Sequence, residues 1–218
     1  MEEWMNDALQ SLRDEVDNQE LEITNSSVNQ FYASDGDAEY MVYQTEDDAE
    51  TDAIERVRED LEENPEYFNQ DWLMSYIDAG DFFEQIFEEW NLGYADDIES
   101  ESSSKYANRL IEEMVEWDVM SEDEADSDEA EEIADNRKYD FAEALTQDQL
   151  SQGNDGFDYY ENNFGREEAI RLVMENNLID IDSASEGAVN VDGIGHFLSS
   201  YDGETIYLDN DAIAYRIN

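Results

Sequence analysis

Apolar residues recur at helical spacing over most of the chain and switch to a period of two near each end. Residues 2 to 19 place Trp4, Met5, Ala8, Leu9, Leu12 and Val16 on one face of a helix. From Leu21 to Tyr43 the apolar positions become Leu21 and Ile23, Val28, Phe31 and Tyr32, then Tyr40 to Tyr43, with Ser34-Asp35-Gly36-Asp37 as a turn. That spacing predicts two or three short antiparallel strands. A helix from Thr45 to Glu63 follows, its buried stripe made of Ala49, Ala53, Ile54, Val57 and Leu61 and its start marked by Thr45 and Asp48 in a capping-box pattern. It is expected to pack on the small sheet just before it.

Asn64-Pro65 ends that helix and opens another, which carries Phe68, Trp72, Leu73, Tyr76 and Ile77. Asp81 to Trp90 then supplies Phe82, Phe83, Ile86, Phe87 and Trp90, with Gly93 as the expected stop. A further helix bears Tyr106, Leu110, Ile111, Met114 and Trp117. Ser121 and Glu124 form a second capping box, opening the stretch SEDEADSDEAEEIADN, an exposed helix or a loop. Helices follow over 138–152, 155–163 and 166–177, then a helical segment with Ile194, His196, Phe197 and Leu198. The chain closes on a hairpin, residues 204–208 and 212–217 about the turn Asp209-Asn210-Asp211. The pattern predicts an α+β fold, mostly helical with two small antiparallel sheets or hairpins. An N-terminal α+β subdomain is expected over 1–120, and a helical C-terminal one ending in the β-hairpin over 121–218.

Charge changes this picture. The 218 residues include 62 Asp and Glu against 10 Lys and Arg, a formal net charge of -52. Such a balance often marks disorder, yet 40% of residues are hydrophobic and 12% aromatic, enough to build a core. The Thr45 helix carries Asp48, Asp52, Glu55, Glu59 and Glu62 on one outward stripe, flanked by Glu46, Asp47, Glu50, Asp60 and Glu63. Two stripes at one carboxylate per turn give about one charge per 2.7 Å of helix axis, against about one per 3.4 Å along a DNA strand. Like charges three or four residues apart each cost a helix about 0.2 to 0.5 kcal/mol, and Arg56 and Arg58 offset only part of that. Adaptation to high salt would explain two lysines, Lys105 and Lys138, but fits poorly with abundant Asn, Ile and large aromatics and modest Val.

Candidate chemistry adds little. Cysteine is absent, which removes thiolate nucleophiles, and His196, the sole histidine and so the one possible base of a Ser-His-Asp system, is accompanied by no Gly-x-Ser-x-Gly turn. No phosphate-binding loop accompanies Gly193 and Gly195. Asp35-Gly36-Asp37, Asp126-Ser127-Asp128 and Asp180-Ile181-Asp182 are calcium-like pairs, but none continues into an EF-hand. The expectation is a protein that is not an enzyme and has no cofactor or dedicated metal. The acidic opening MEEWMNDALQ differs from a basic signal peptide, and no apolar run approaches 18 residues. Repulsion argues against nucleic acid and anionic membrane as direct partners and in favour of a basic protein.

Three segments carry a resemblance: the Tyr40 to Tyr43 strand leading into TEDDAETDA, the run YADDIESESSSKYANRLIEEM, and HFLSSYDGETIYL with the closing AYRIN. Together they resemble a family of acidic, uncharacterised bacteriophage proteins, over most of residues 39 to 217. In charge and size the chain is also similar to phage and plasmid DNA mimics, including ArdA-type antirestriction proteins. The resemblance implies a phage protein acting in the cytoplasm of an infected bacterium and transfers no catalytic residues. The reading reached is a DNA-mimic inhibitor that occupies the DNA-binding groove of a bacterial defence protein, a restriction-modification enzyme or a CRISPR effector. The alternative is an acidic protein that modulates host RNA polymerase or a nucleoid protein. Two surfaces are the candidates for partner binding. The first is Glu46, Asp47, Asp48, Asp52, Glu55, Glu59, Asp60, Glu62 and Glu63; the second is Glu112, Glu113, Glu116, Glu122, Asp123, Glu124, Asp126, Asp128, Glu129, Glu131 and Glu132.

Overall fold

Local signals set most of the element boundaries in the computed structural model, which describes residues 3–100 and 107–218. Glu2, Lys105 and Tyr106 lie outside the described residues. In chain order the elements are α1 (Glu3–Glu15), β1 (Glu22–Ser26), β2 (Gln30–Ser34), β3 (Glu39–Tyr43), α2 (Glu46–Glu63), α3 (Gln70–Leu73), α4 (Phe82–Ser100), α5 (Ala107–Glu116), α6 (Glu122–Ala125), α7 (Ala130–Asn136), α8 (Lys138–Leu150), α9 (Phe157–Phe164), α10 (Arg166–Glu175), α11 (Ile181–Asp192), α12 (Ile194–Leu198), β4 (Thr205–Tyr207) and β5 (Ile213–Arg216). The fold is α+β and mostly helical, as its periodicity predicts. No helix among the described residues is long and apolar enough to cross a membrane.

The strands make one sheet rather than two, in the order β1-β2-β3-β5-β4 with every neighbour antiparallel. Val42 pairs with Ala214 and Met41 with Tyr215, which joins the N-terminal strands to the C-terminal hairpin. The reason is that β3 is apolar on both faces: Tyr40, Met41, Val42 and Tyr43 are all buried, the pattern of a central strand. This pairing also moves the domain boundary. The chain forms two compact units, Met1–Tyr76 with Asp180–Asn218, and Ile77–Ile179, instead of dividing near residue 120.

In the first unit, α1 covers one face of the sheet, where Met5, Leu9 and Leu12 meet Phe31, Ala33, Tyr40, Val42 and Ala214. On the other face the Tyr43 and Tyr215 rings pack edge to face, 6.3 Å apart. α2 starts at Thr45, whose hydroxyl oxygen accepts the Asp48 N–H at 3.2 Å. It touches β3 but packs chiefly along α11 and α12, which corrects the expectation that it lies mainly on the sheet. The helix α11 escapes the hydrophobic pattern because its buried residues, Ala184, Ser185, Ala188 and Val189, are small. The aromatic segment after Pro65 forms the short helix α3, capped by Asn69 and flanked by 3-10 turns, rather than one long helix.

In the second unit, α4 packs along α8 and does not stop at Gly93. Buried Ala95 and Ile98 beyond the glycine continue its apolar stripe into a core with Leu110, Met114 and Phe141. Burial of that stripe outweighs the roughly 1 kcal/mol cost of a mid-helix glycine. Asn91, also buried, donates to Thr146 Oγ1 at 3.1 Å and Gln149 Oε1 at 2.9 Å, locking α4 to α8. Phe83, Phe87, Trp90, Tyr160 and Phe164 form a chain of ring contacts between α4 and α9.

Candidate functional site

Both predicted acidic surfaces form on helices, and each is described within its own unit. Along α2, Glu46, Asp47, Glu55, Glu59, Asp60, Glu62 and Glu63 are exposed. Asp48 and Asp52 are half-buried and engaged in the fold. The Asp48 carboxylate accepts the Thr45 hydroxyl at 2.6 Å and the Asn29 amide at 2.8 Å. Asp52 accepts the Tyr43 hydroxyl and the Arg56 guanidinium. Burial, reinforced by the Asp52 carboxylate, pushes the Tyr43 phenol far above its ordinary range, so it stays a donor.

The two arginines of α2 are each paired with a carboxylate and remain partly exposed. Arg56 lies at 3.2 Å from Asp52 and contacts the Met41 sulfur on β3. Arg58 reaches Asp182 on α11 at 2.5 Å, with its Nε buried. From Glu55 to Glu63 five carboxylates are exposed, about one per 2.5 Å of axis, while the partly exposed Arg56 and Arg58 are engaged by Asp52 and Asp182. None of the acids in the last turn is opposed by a basic residue, so they also face the negative end of the helix dipole.

The second surface lies on α5, α6, α7 and the turns between them. Ser121 and Glu124 form the reciprocal capping box read from the sequence. Glu124 also binds Arg137 at 2.7 Å. The Arg137 guanidinium, followed by the Ser121 N–H and hydroxyl, holds the Glu124 carboxyl at about 2, well below the carboxylate range. Glu113 accepts from Tyr94 at 2.8 Å and Arg109 at 2.9 Å. Both residues thus serve the fold. Glu112, Glu116, Glu122, Asp123, Asp126, Asp128, Glu129, Glu131 and Glu132 are exposed, and Glu112, Glu122 and Asp126 ring a cleft of about 480 Å³ floored by Ile111, Val115 and Ala125.

The same rule holds beyond these surfaces. Among the described residues every lysine and arginine makes an internal contact. Arg13 donates to the Leu21 carbonyl, Lys138 pairs with Asp96 and Asp135, Arg166 with Glu161, and Arg171 with Glu168 and Glu175. Arg216 stacks on Tyr201 at 3.9 Å. Arg58, Arg137 and Lys138 tie one element to another, whereas Arg171 pairs with acids of its own helix.

Of the calcium-like pairs, Asp35 is occupied by the Asp37 and Ala38 N–H groups at 2.8 and 2.7 Å, and Asp180 caps α11. Among the described residues no group of three or more His, Asp or Glu is arranged to hold a metal ion. His196 lies exposed on α12, beside an aromatic pocket that the sequence does not reveal, because Phe68, Trp72 and Phe197 come from distant segments. Comparison of the chain with protein-family models, curated proteins and solved structures finds no match.

Proposed function

We propose that the chain is a folded acidic decoy, a phage-encoded DNA mimic that occupies the DNA-binding groove of a basic bacterial protein, with a restriction-modification enzyme or CRISPR effector as the target. One observation carries the reading: Arg56 and Arg58 are taken up by Asp52 and Asp182, and the exposed acids of α2 from Glu55 to Glu63 stand at a spacing close to that of phosphates. An exposed face selected only for stability would alternate acids with bases. This face costs stability and offers a Lys- and Arg-lined groove the field it is built to receive.

The side chains that serve the fold also define a clean test. Glu55, Glu59 and Glu62 on α2, and Glu112, Glu122, Asp126 and Glu131 on the other surface, are exposed, so reversing them to Lys leaves the caps and seams intact. Reversal within the operative surface abolishes inhibition; full potency with both surfaces reversed overturns the proposal. The target comes from immobilised protein exposed to bacterial lysate and eluted either by salt or by duplex DNA. Release of a DNA-binding complex by DNA supports the decoy. Retention only of proteins indifferent to DNA favours an acidic modulator of a different class.

A further inference from the structure

A pocket of about 500 Å³ lies in the first unit, within the range that holds small ligands or a partner's side chain. Its walls are rings: Phe68 and Trp72 around α3, and Phe197 on α12, all half-buried. Trp72 is held in place, stacked on Phe68 with centroids 6.2 Å apart and met edge-on by Tyr76 at 5.0 Å. The Phe197 ring is set against His196 at 4.8 Å. Tyr67 and Val191, 79% and 76% exposed, stand at the mouth.

The electrostatics of this pocket lean acidic. Asp60 and Asp192 line it, His196 is the one basic side chain there, and no lysine or arginine takes part. Asp60 belongs to the last turn of α2, and Asp192 is the last residue of α11, so the carbonyl ends of two helices lie at the same place. Each end carries a partial negative charge of about half a unit. Aromatic faces add the negative side of their quadrupoles. The carboxylates, helix ends and ring faces favour a cation that is also flat and apolar on its faces. A guanidinium meets that description better than an ammonium, which is compact and strongly hydrated.

We propose that this pocket receives an arginine side chain of the basic partner, between the Trp72 and Phe197 rings and with its N–H groups on Asp60 and Asp192. The inference rests on the decoy reading for its partner, and on charge complementarity for its occupant. It gives the interface a salt-resistant anchor, of the kind in which tryptophan and arginine dominate binding energy. The exposed helix face attracts a groove at long range, and the pocket holds one residue of it.

The test uses the full chain, labelled with ¹⁵N, and capped arginine as probe, with capped lysine and capped citrulline as comparisons. Expected is a saturable shift of the Trp72 indole N–H that survives about 0.5 M salt, where screening removes diffuse attraction beyond a few ångströms. Citrulline, the neutral isostere, binds about tenfold more weakly, and lysine is weaker than arginine. Trp72→Ala and Asp192→Asn weaken the arginine shift about tenfold and severalfold. Val191→Arg, at an exposed position, closes the pocket with a resident guanidinium while the fold is kept. Equal binding of citrulline, a response spread over the acidic helices without Trp72, or full binding to Val191→Arg overturns the proposal. Capped arginine needs no target, so loss of this anchor leaves the DNA-competition result standing, and failure of that competition leaves the arginine titration intact.

Discussion

Single side chains carry unusual responsibility where the chain turns between α12 and β4. The Ser199 hydroxyl donates to the Arg216 carbonyl at 2.5 Å, while its oxygen gathers the N–H groups of Tyr201, Asp202 and Gly203 at 3.2 to 3.3 Å. Gly195 completes the turn by close approach, since a Cβ there would sit 2.0 Å from the Gly203 carbonyl oxygen. Ser199→Ala leaves several of these groups without a partner, and urea unfolding is expected to show a loss of about 2 kcal/mol. Glu124 makes a prediction in pH. Its folded value of about 2 lies below the ordinary 4.5, so its stabilisation is fully present above that range and is lost as pH falls toward 2. Glu124→Gln should therefore lower the unfolding midpoint at neutral pH, with the gap closing on acidification. A gap that persists at pH 2 would separate the side chain from this linkage.

At the level of the element, α2 combines a buried seam built for stability with an outer face that opposes it. Glu59, Glu62 and Glu63 crowd a helix end that carries no basic residue. Replacing the three by Gln should raise stability by about 0.5 to 1 kcal/mol, because like-charge and dipole repulsion are removed together. Under the decoy reading the same change weakens target binding, and measurement of both quantities on one variant separates a binding face from a solvated one. Much of this scale was legible in the chain: Thr45, the end of α2 at Asn64-Pro65 and the Ser121 and Glu124 box mark local chemistry, although the helix expected to open at Pro65 starts only after Asn69. Which carboxylates face outward was not legible. Asp48 and Glu124 are marked as helix-start residues by Thr45 and Ser121, but Asp52 and Glu113 have the spacing of their neighbours and meet Tyr43 and Tyr94, partners brought near only by tertiary structure. The helix α11 lacks a sequence signal for a related reason, since alanines and a glycine give a packing face without a hydrophobic signature.

For the molecule as a whole, the pairing of β3 with β5 was the feature furthest from the reach of sequence patterns. Each strand is recognisable by itself, but their register depends on contact between remote segments, which periodicity does not encode. Each unit holds its own chain ends together: in the inserted unit Ile77 bridges Ile179, and in the first unit the Asp180 N–H donates to the Tyr76 carbonyl at 2.8 Å. Residues 77–179 expressed alone should hence fold cooperatively, shown by a sigmoidal thermal transition and dispersed amide signals; a featureless spectrum would contradict an autonomous second unit. The insertion of one unit within the sequence of the other also orders events in time. A growing chain completes the inserted unit while the first sheet still lacks two strands, and about 170 residues separate Tyr43 from its partner Ile213. At roughly 5 to 20 residues per second, β3 leaves the ribosome roughly 10 to 35 seconds before the strand that closes it. During that interval an apolar sheet edge is open to any other nascent copy. The carboxylates that burden the finished fold protect it then, because two half-made chains of this charge repel each other before their edges can meet.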